Sequence, residues 1–240
     1  MSTLRFLDLT LPTPAENLAL DEALLDEAEA AGAPLETLRL WEPAAPLVVV
    51  GRSSQVSVEV RTETCRADRV PVLRRASGGA SVVAGPGCLM YALVLSYRRH
   101  PALRSVDQAH RYVLDRLAAA LRPYASTARC RGVSDLALGD CKCSGNSLRA
   151  KREHFLYHGT LLYAFPLALV ERYLAMPPRM PDYRQGRGHG AFLTNLPVNV
   201  QTLRAELIAA FGASKPCPSW PRERTAQLVA ERYGAAEWSS

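Results

Sequence analysis

Arg74-Arg75-Ala76-Ser77-Gly78-Gly79-Ala80-Ser81-Val82-Val83-Ala84-Gly85-Pro86-Gly87-Cys88-Leu89 is the stretch on which the reading of this chain turns. It joins the apolar runs 70–73 and 89–95 and gathers two arginines and four glycines into one turn-rich hinge. Glycine allows positive φ and the close approach of another backbone. Free backbone N–H groups beside guanidinium groups suit a carboxylate or a phosphate, which arginine grips with a bidentate fork. A hairpin connection carrying two solvated arginines is the plainer reading, and for an isolated Gly-Gly pair it would prevail. The concentration of these residues points instead to a site for an acidic small molecule.

Outward from the hinge, residues 5–9 read as a strand and residues 14–31 as the clearest helix. Pro14 stands at its start, acidic residues follow in the first turns, Leu18, Leu25 and Ala28 recur at helical spacing, and Gly32 stops it. Residues 37–41 and 47–50 read as strands, another strand ends at Arg74 and Arg75, and a long apolar strand runs through Tyr97. Residues 106–121 form a second helix with Val113, Leu114, Leu117 and Leu121 on one face. Three β-like runs follow at 134–138, 142–148 and 155–163, then a helix from Pro166 to Leu174. Residues 177–195, rich in Pro, Arg and Gly, are irregular, as binding loops and lids often are, though flexible surface reads equally well. Helices near 200–211 and 221–233 close the chain. The order predicts an α+β fold with a mixed, largely antiparallel sheet flanked by helices, as a single domain over residues 1–240.

At 240 residues, 48% hydrophobic and 22% charged, the chain can bury a sizeable core. No run approaches the ~20 apolar residues that span a bilayer, and the first residues lack a secretory pattern, so a cytoplasmic protein without membrane association is expected. The net charge of +6 rests on arginine, with only three lysines, Lys142, Lys151 and Lys215. Arginine-favouring codon usage explains this as well as function does. A basic surface attracts an acidic macromolecule, but no Arg/Lys block interleaves with aromatics, so nucleic acid is not predicted. The six cysteines, at 65, 88, 130, 141, 143 and 217, have no zinc spacing and read as reduced thiols. No metal site is expected.

Lys142 is the second informative residue. If residues 141–147 are a strand, its period of two sets Lys142 and Ser144 on one face, with Cys141 and Cys143 on the other as small core residues. An ammonium on that face suits an oxygen that gains negative charge in a transition state; a solvated lysine is the plainer reading.

Taken in order, Arg74-Arg75-Ala76-Ser77-Gly78-Gly79, Gly132-Val133-Ser134-Asp135-Leu136, Lys142-Cys143-Ser144-Gly145-Asn146-Ser147 and His158-Gly159-Thr160-Leu161-Leu162 resemble the lipoate–protein ligase family. That family includes octanoyl and lipoyl transferases and, more distantly, biotin ligases. Asn17 to Ala23, Trp41 and Val50 to Gln55 fall in matching order, so the resemblance covers roughly residues 5 to 176. It implies a biotin/lipoate protein ligase-like catalytic domain with the acyl chain in a tunnel. Arg74, Arg75, Ser77, Gly78, Gly79 and Gly87 would line the tunnel and the activated carboxyl end. Lys142 would contact the carbonyl and phosphate of an acyl-adenylate, beside Ser144, Gly145, His158, Gly159 and Thr160. The implied product is a lipoyl or octanoyl amide on a lysine of an acidic lipoyl-domain protein.

Three departures from the family pattern keep other chemistry open. Ala80 and the run Val83 to Cys88 replace a third glycine and a His-Asp-x-Gly-Asn block, and Gly85-Pro86-Gly87 resembles the octanoyltransferase branch. Little follows residue 177 beyond two helices, so a C-terminal accessory domain is not expected; either a separate accessory chain supplies its role or adenylation is not the reaction. Cys130, in Cys130-Arg131-Gly132-Val133-Ser134-Asp135-Leu136, resembles an amidotransferase nucleophile whose pKa the flanking guanidinium groups would lower; Cys88 is a weaker candidate. The first expectation is an ATP-dependent ligase using Mg²⁺ and lipoate or octanoate. The second is a cofactor-free transferase working through Cys130 from an acyl carrier protein or a donor lipoyl domain, and the third a non-catalytic acyl-binding protein. His154, His189 and residues 182–184 could touch substrate but read first as surface or hydrogen-bonding groups, and His100 and His110 as structural.

Overall fold

In the computed structural model, which describes residues 4–235 and Trp238, the chain runs β1 (Arg5–Asp8), α1 (Pro14–Ala30), β2 (Thr37–Trp41), β3 (Leu47–Val50), α2 (Val56–Glu59), α3 (Thr62–Ala67), β4 (Val72–Arg74), β5 (Val82–Ala84), β6 (Cys88–Ser96), α4 (Val106–Leu121), β7 (Ala128–Arg131), β8 (Asp135–Leu138), β9 (Cys141–Ala150), β10 (His154–Leu162), α5 (Ala168–Tyr173), α6 (His189–Phe192), α7 (Val200–Phe211), β11 (Lys215–Pro216) and α8 (Arg222–Leu228). The expected α+β fold is present. An eight-stranded sheet has the order β11-β1-β2-β6-β10-β9-β8-β7, and a three-stranded sheet the order β4-β3-β5. In the large sheet β1 pairs in parallel with β2 and β11, and the other neighbours are antiparallel.

The two central strands explain why the large sheet is covered on both faces. Every residue of β6 and β10 is buried. Along β6, Leu89, Tyr91, Leu93 and Leu95 face a core shared with Val113, Leu114, Leu117 and Leu121 of α4 and Leu203 and Leu207 of α7. The intervening Ala92 and Val94 face Leu20 and Leu24 of α1. Strand alternation thus produces two apolar faces, and helices cover both. α1 begins with a capping box in which Glu16 N–H donates to Thr13 Oγ1 at 3.2 Å and Thr13 N–H donates to Glu16 Oε2 at 2.9 Å. It is buried on several sides, including Asn17, Asp21 and Glu22, because the large sheet and α8 both pack against it.

The hinge divides differently from the sequence expectation. β4 and β5 lie on opposite sides of β3, so the glycine loop is not a hairpin connection. Gly85 to Cys88 is a turn closed by Cys88 N–H donating to Gly85 O at 3.0 Å. Proline at its second position and Gly87 at φ +86° in its third make it type II. That turn hands the chain from the small sheet to the large one. β7 lies outside the strands expected from the sequence, because four residues, two of them arginines, are too short a run to stand out. It is the sheet edge, where charge protects against further pairing. Among the described residues, no helix is long and apolar enough to cross a membrane.

Candidate active site

Elements of both sheets, α1, α5 and the segment after residue 177 enclose a cavity of about 1070 Å³. Leu18, Val49, Val83, Met90, Leu162 and Leu174 form an apolar wall, while Asp135, Lys142, Ser144, Asn146, His158 and Thr160 form a polar one. The polar wall comes from β8, β9 and β10. Thr160 lies opposite Met90 in the β6–β10 register, so it shares the face that carries Met90.

Lys142 Nζ lies 2.7 Å from Asp135 Oδ1, in an ion pair that is mostly buried. A Cβ on Gly145 would sit 2.9 Å from Nζ, so a larger residue there would push the amine out of this position over β9. Tyr183 OH donates to the other oxygen of Asp135 at 2.8 Å. Burial, reinforced by Asp135, pushes the Tyr183 hydroxyl well above its usual pKa, keeping it a proton donor. Lys142 and Ser144 both line the cavity, and Cys143 lies in the core. Cys141 is only half-buried and does not join that core.

Behind the polar wall runs a buried chain of polar groups. Arg39 Nη1 donates to Asp21 Oδ1 at 2.6 Å. Asp21 Oδ2 lies 3.8 Å from His158 Nδ1, and His158 Nε2 lies 2.5 Å from Ser77 Oγ. A proton on Nδ1, facing the carboxylate, leaves Nε2 to accept the serine proton. Gly159 makes room for a second fixed group: its Cβ would lie 1.9 Å from Asn146 Oδ1. Tyr91 OH donates to that oxygen at 2.6 Å, and Asn146 Nδ2 donates to Ser134 O at 2.8 Å.

Gly78 and Gly79 line the cavity, with Gly79 at φ +89°, and Gly51 packs so closely on this loop that a Cβ would lie 1.8 Å from Gly79 O. The two arginines behave differently from the expectation. Arg75 lines the cavity, but its guanidinium donates to Val49 O, Ser77 Oγ, Gly78 O and Ala80 O. It grips the loop rather than presenting a free fork, and burial lowers its pKa to about 10. Arg74 is outside the cavity lining; it donates to Gly51 O and Ser54 O at 2.8 Å and to Trp238 O at 2.9 Å. Gly87 also lies outside, with its φ-positive turn against Ala164, where a Cβ would come within 2.3 Å of the carbonyl carbon. Ser77 faces a smaller cavity on the loop's other side, with Arg52, Ser53 and Arg149.

Cys130 is not where a nucleophile of this cavity would be. Alternation along β7 turns its half-buried side chain toward the α4 core, while Arg129 and Arg131 reach Asp140 at 3.5 and 2.9 Å. The guanidinium groups are thus neutralised on the other face, and burial, with Asp115 and Asp135, raises the thiol pKa rather than lowering it. Burial pushes Cys88 up to about 12.

Sequence reasoning passed over several lining residues. Asp135 and Asn146 stood inside the quoted motifs without assigned roles. Glu59, which accepts from Ser81 N–H at 2.7 Å, carried no local signal at all. Residues 177–181, Arg184, His189 and Phe192 line one side of the cavity, so the irregular segment forms a wall of the site while Arg179 and Met180 remain exposed. His189 Nε2 lies 3.1 Å from Ala175 O and holds this wall to the end of α5.

Comparison with known proteins agrees with this architecture. The model of the lipoyl protein ligase A/B catalytic domain matches residues 13–212. A relative from Aeropyrum pernix is 29% identical over 204 residues, 85% of this chain and 72% of its own length. Lipoate-protein ligase A of Psychrobacter cryohalolentis is 27% identical over 213 residues, covering 87% of this chain and 59% of that protein. The chain spans only about half the length of several other curated relatives. The bi-partite lipoate protein ligase of Thermoplasma acidophilum, solved in a study of that enzyme and its E2 lipoyl domain, superposes with a TM-score of 0.82 at 19% identity over 100% of this chain and 96% of that one. This chain belongs to the lipoyl protein ligase A/B catalytic-domain family, whose members are enzymes of ligase or transferase type.

Proposed function

We propose that this protein activates lipoate, or octanoate, with ATP as an acyl-adenylate and passes the acyl group to a lysine of an acidic lipoyl-domain protein. The observation that carries this reading is the cavity, which sets an apolar wall opposite a polar one holding the Lys142–Asp135 pair. The acyl tail lies against Leu18, Val49, Met90 and Leu162. The carboxylate oxygen attacks the α-phosphorus of ATP and diphosphate leaves. The acceptor amine then attacks the acyl carbonyl, AMP leaves, and the lysine proton passes to solvent or to a neighbouring base. Lys142 stabilises the negative charge that develops on phosphoryl and carbonyl oxygens in the two steps. The glycine loop at Gly78 and Gly79 and the Ser144–Gly145 backbone bring peptide groups to the same end.

Mg²⁺ fits this reading as a partner of the nucleotide. Among the described residues no group of three His, Cys, Asp or Glu could hold a metal, and both oxygens of Asp135 already accept bonds. Magnesium commonly takes its ligands from substrate phosphates and water, with one or two carboxylates, and would neutralise phosphate charge here. The Thermoplasma neighbour, a bi-partite ligase described with its E2 lipoyl domain, supports an acceptor of that kind and an accessory chain in this reading. We infer a single catalytic domain working with a separate accessory chain, and the +6 charge favours an acidic acceptor.

The test offers an apo lipoyl domain with either ATP plus lipoate or an octanoyl carrier protein, and follows the mass of the acceptor. We expect ATP-dependent modification that survives Cys130→Ser and falls by about 10²–10³ in Lys142→Ala. Carrier-dependent modification abolished by Cys130→Ser would sink the ligase reading, and no transfer under either condition, also with the accessory chain of a bi-partite ligase added, would leave an acyl-binding protein.

A further inference from the structure

Arg75, Lys142, Arg179 and Arg184 are the cationic side chains lining the cavity among the described residues. Their states differ. Arg75 is used up on four oxygens of the glycine loop and β3, Lys142 is paired with Asp135, and Arg179 is exposed. Arg184 is 4% exposed. Its Nε donates to Arg187 O at 2.8 Å, its Nη2 reaches Met176 Sδ at 3.3 Å, and its guanidinium carbon stands 4.7 Å from the Phe192 ring centroid. Those contacts hold the side chain in place, but none neutralises it. Among the described residues no carboxylate lies within ion-pair distance of this guanidinium.

Asp135 is the carboxylate that acts on Arg184, and both its oxygens already serve Lys142 and Tyr183; a buried cation without an ion-pair partner of its own is costly, so an anion from a ligand is its natural partner. The neighbouring Tyr183 locates that anion: it bonds Asp135, which holds Lys142, so the Asp182–Arg184 turn belongs to the polar end of the cavity. The Lys142–Asp135 pair carries almost no net charge, too little for the several charges of a nucleoside triphosphate. A planar guanidinium with free donors matches phosphate oxygens. We propose that Arg184 is a second phosphate-binding residue, which holds the phosphates of the nucleotide against Lys142 during acyl activation. This rests on the ATP-dependent reading.

Steady-state diphosphate release by the full chain, with the accessory chain of a bi-partite ligase and an apo lipoyl domain as acceptor present and ATP and lipoate varied in turn, tests it on Arg184→Met and Arg184→Lys. Methionine keeps the packing on Phe192 and Met176 without the charge; lysine keeps the charge without the fork. For Arg184→Met we expect KM for ATP to rise about tenfold or more, the ratio worth roughly one charge-assisted contact, with KM for lipoate within about twofold. For Arg184→Lys we expect a rise of about threefold by the same reasoning, and this variant carries the test if the methionine variant does not fold. An unchanged KM for ATP, or a larger rise in KM for lipoate, would overturn the assignment. A wild-type chain that releases no diphosphate would overturn it too, but by removing the ligase reading itself.

Discussion

Single residues in this site are constrained by contact distances as much as by chemistry. Gly159 is the clearest case, because the Asn146 amide occupies the space that a Cβ would take, at 1.9 Å. Asn146 is itself fixed by Tyr91 and by Ser134 O, so it has no easy retreat. Gly159→Ala is therefore expected to lose about 1–3 kcal/mol, the ordinary cost of overpacking a closed site. Thermal denaturation would register this, and an unshifted midpoint would mean that the β9–β10 wall is softer than its bonds imply. The glycine appears in the sequence as one letter of a His-Gly-Thr block. That it makes room for Asn146, 13 positions earlier, is visible only once β9 and β10 are paired.

At the scale of elements, α1 is clamped from two sides at its C-terminal half. Asp26, on its C-terminal half, receives Lys151 from the β9–β10 turn and Arg224 from α8, the latter at 2.7 Å. Burial works against ionisation of Asp26, but the two cations outweigh it and keep the pKa below the ordinary carboxylate value. A carboxylate with a lowered folded pKa adds stability that is fully present above its unfolded value, about 3.9. That stability is lost as pH falls through the folded value. Asp26→Asn should thus be less stable than wild type by on the order of 1–3 kcal/mol at pH 7. In urea unfolding the gap should close at a pH below about 4; a gap constant with pH would point to packing instead of charge. The helix itself was evident from its proline start and apolar spacing, but its two clamps come from residues more than a hundred positions away.

For the molecule as a whole, the C-terminal residues are tied to the site from behind. Tyr233 OH and Arg232 Nη1 donate to Glu22 of α1 at 2.7 and 2.8 Å, and Trp238 Nε1 donates to Arg74 O at 2.8 Å. Arg74 returns a bond to Trp238 O and also holds Gly51 O and Ser54 O, the segment on which the glycine loop rests. Truncation before Arg222 should therefore lower the melting temperature and speed proteolysis near residues 51–54, even though none of the described residues it removes lines the cavity. Unchanged cleavage there would separate the C-terminal helix from the loop.

The sequence by itself determined the helices and strands that announce their own period, the α+β class, and the ordered blocks that name the family. These signals are local, since side-chain spacing, turn residues and short motifs lie within a few positions of one another. Only the tertiary structure decided what each block does. It turned Arg74 into a brace and Arg75 into the clasp of its own loop, set Cys130 into the α4 core, and made residues 177–193 a wall carrying a buried arginine. Charge and solvation decide those roles, and both depend on neighbours that folding brings from distant parts of the chain. The glycine hinge that marks the family so clearly therefore could not show, from its own residues, which of its arginines faces a ligand.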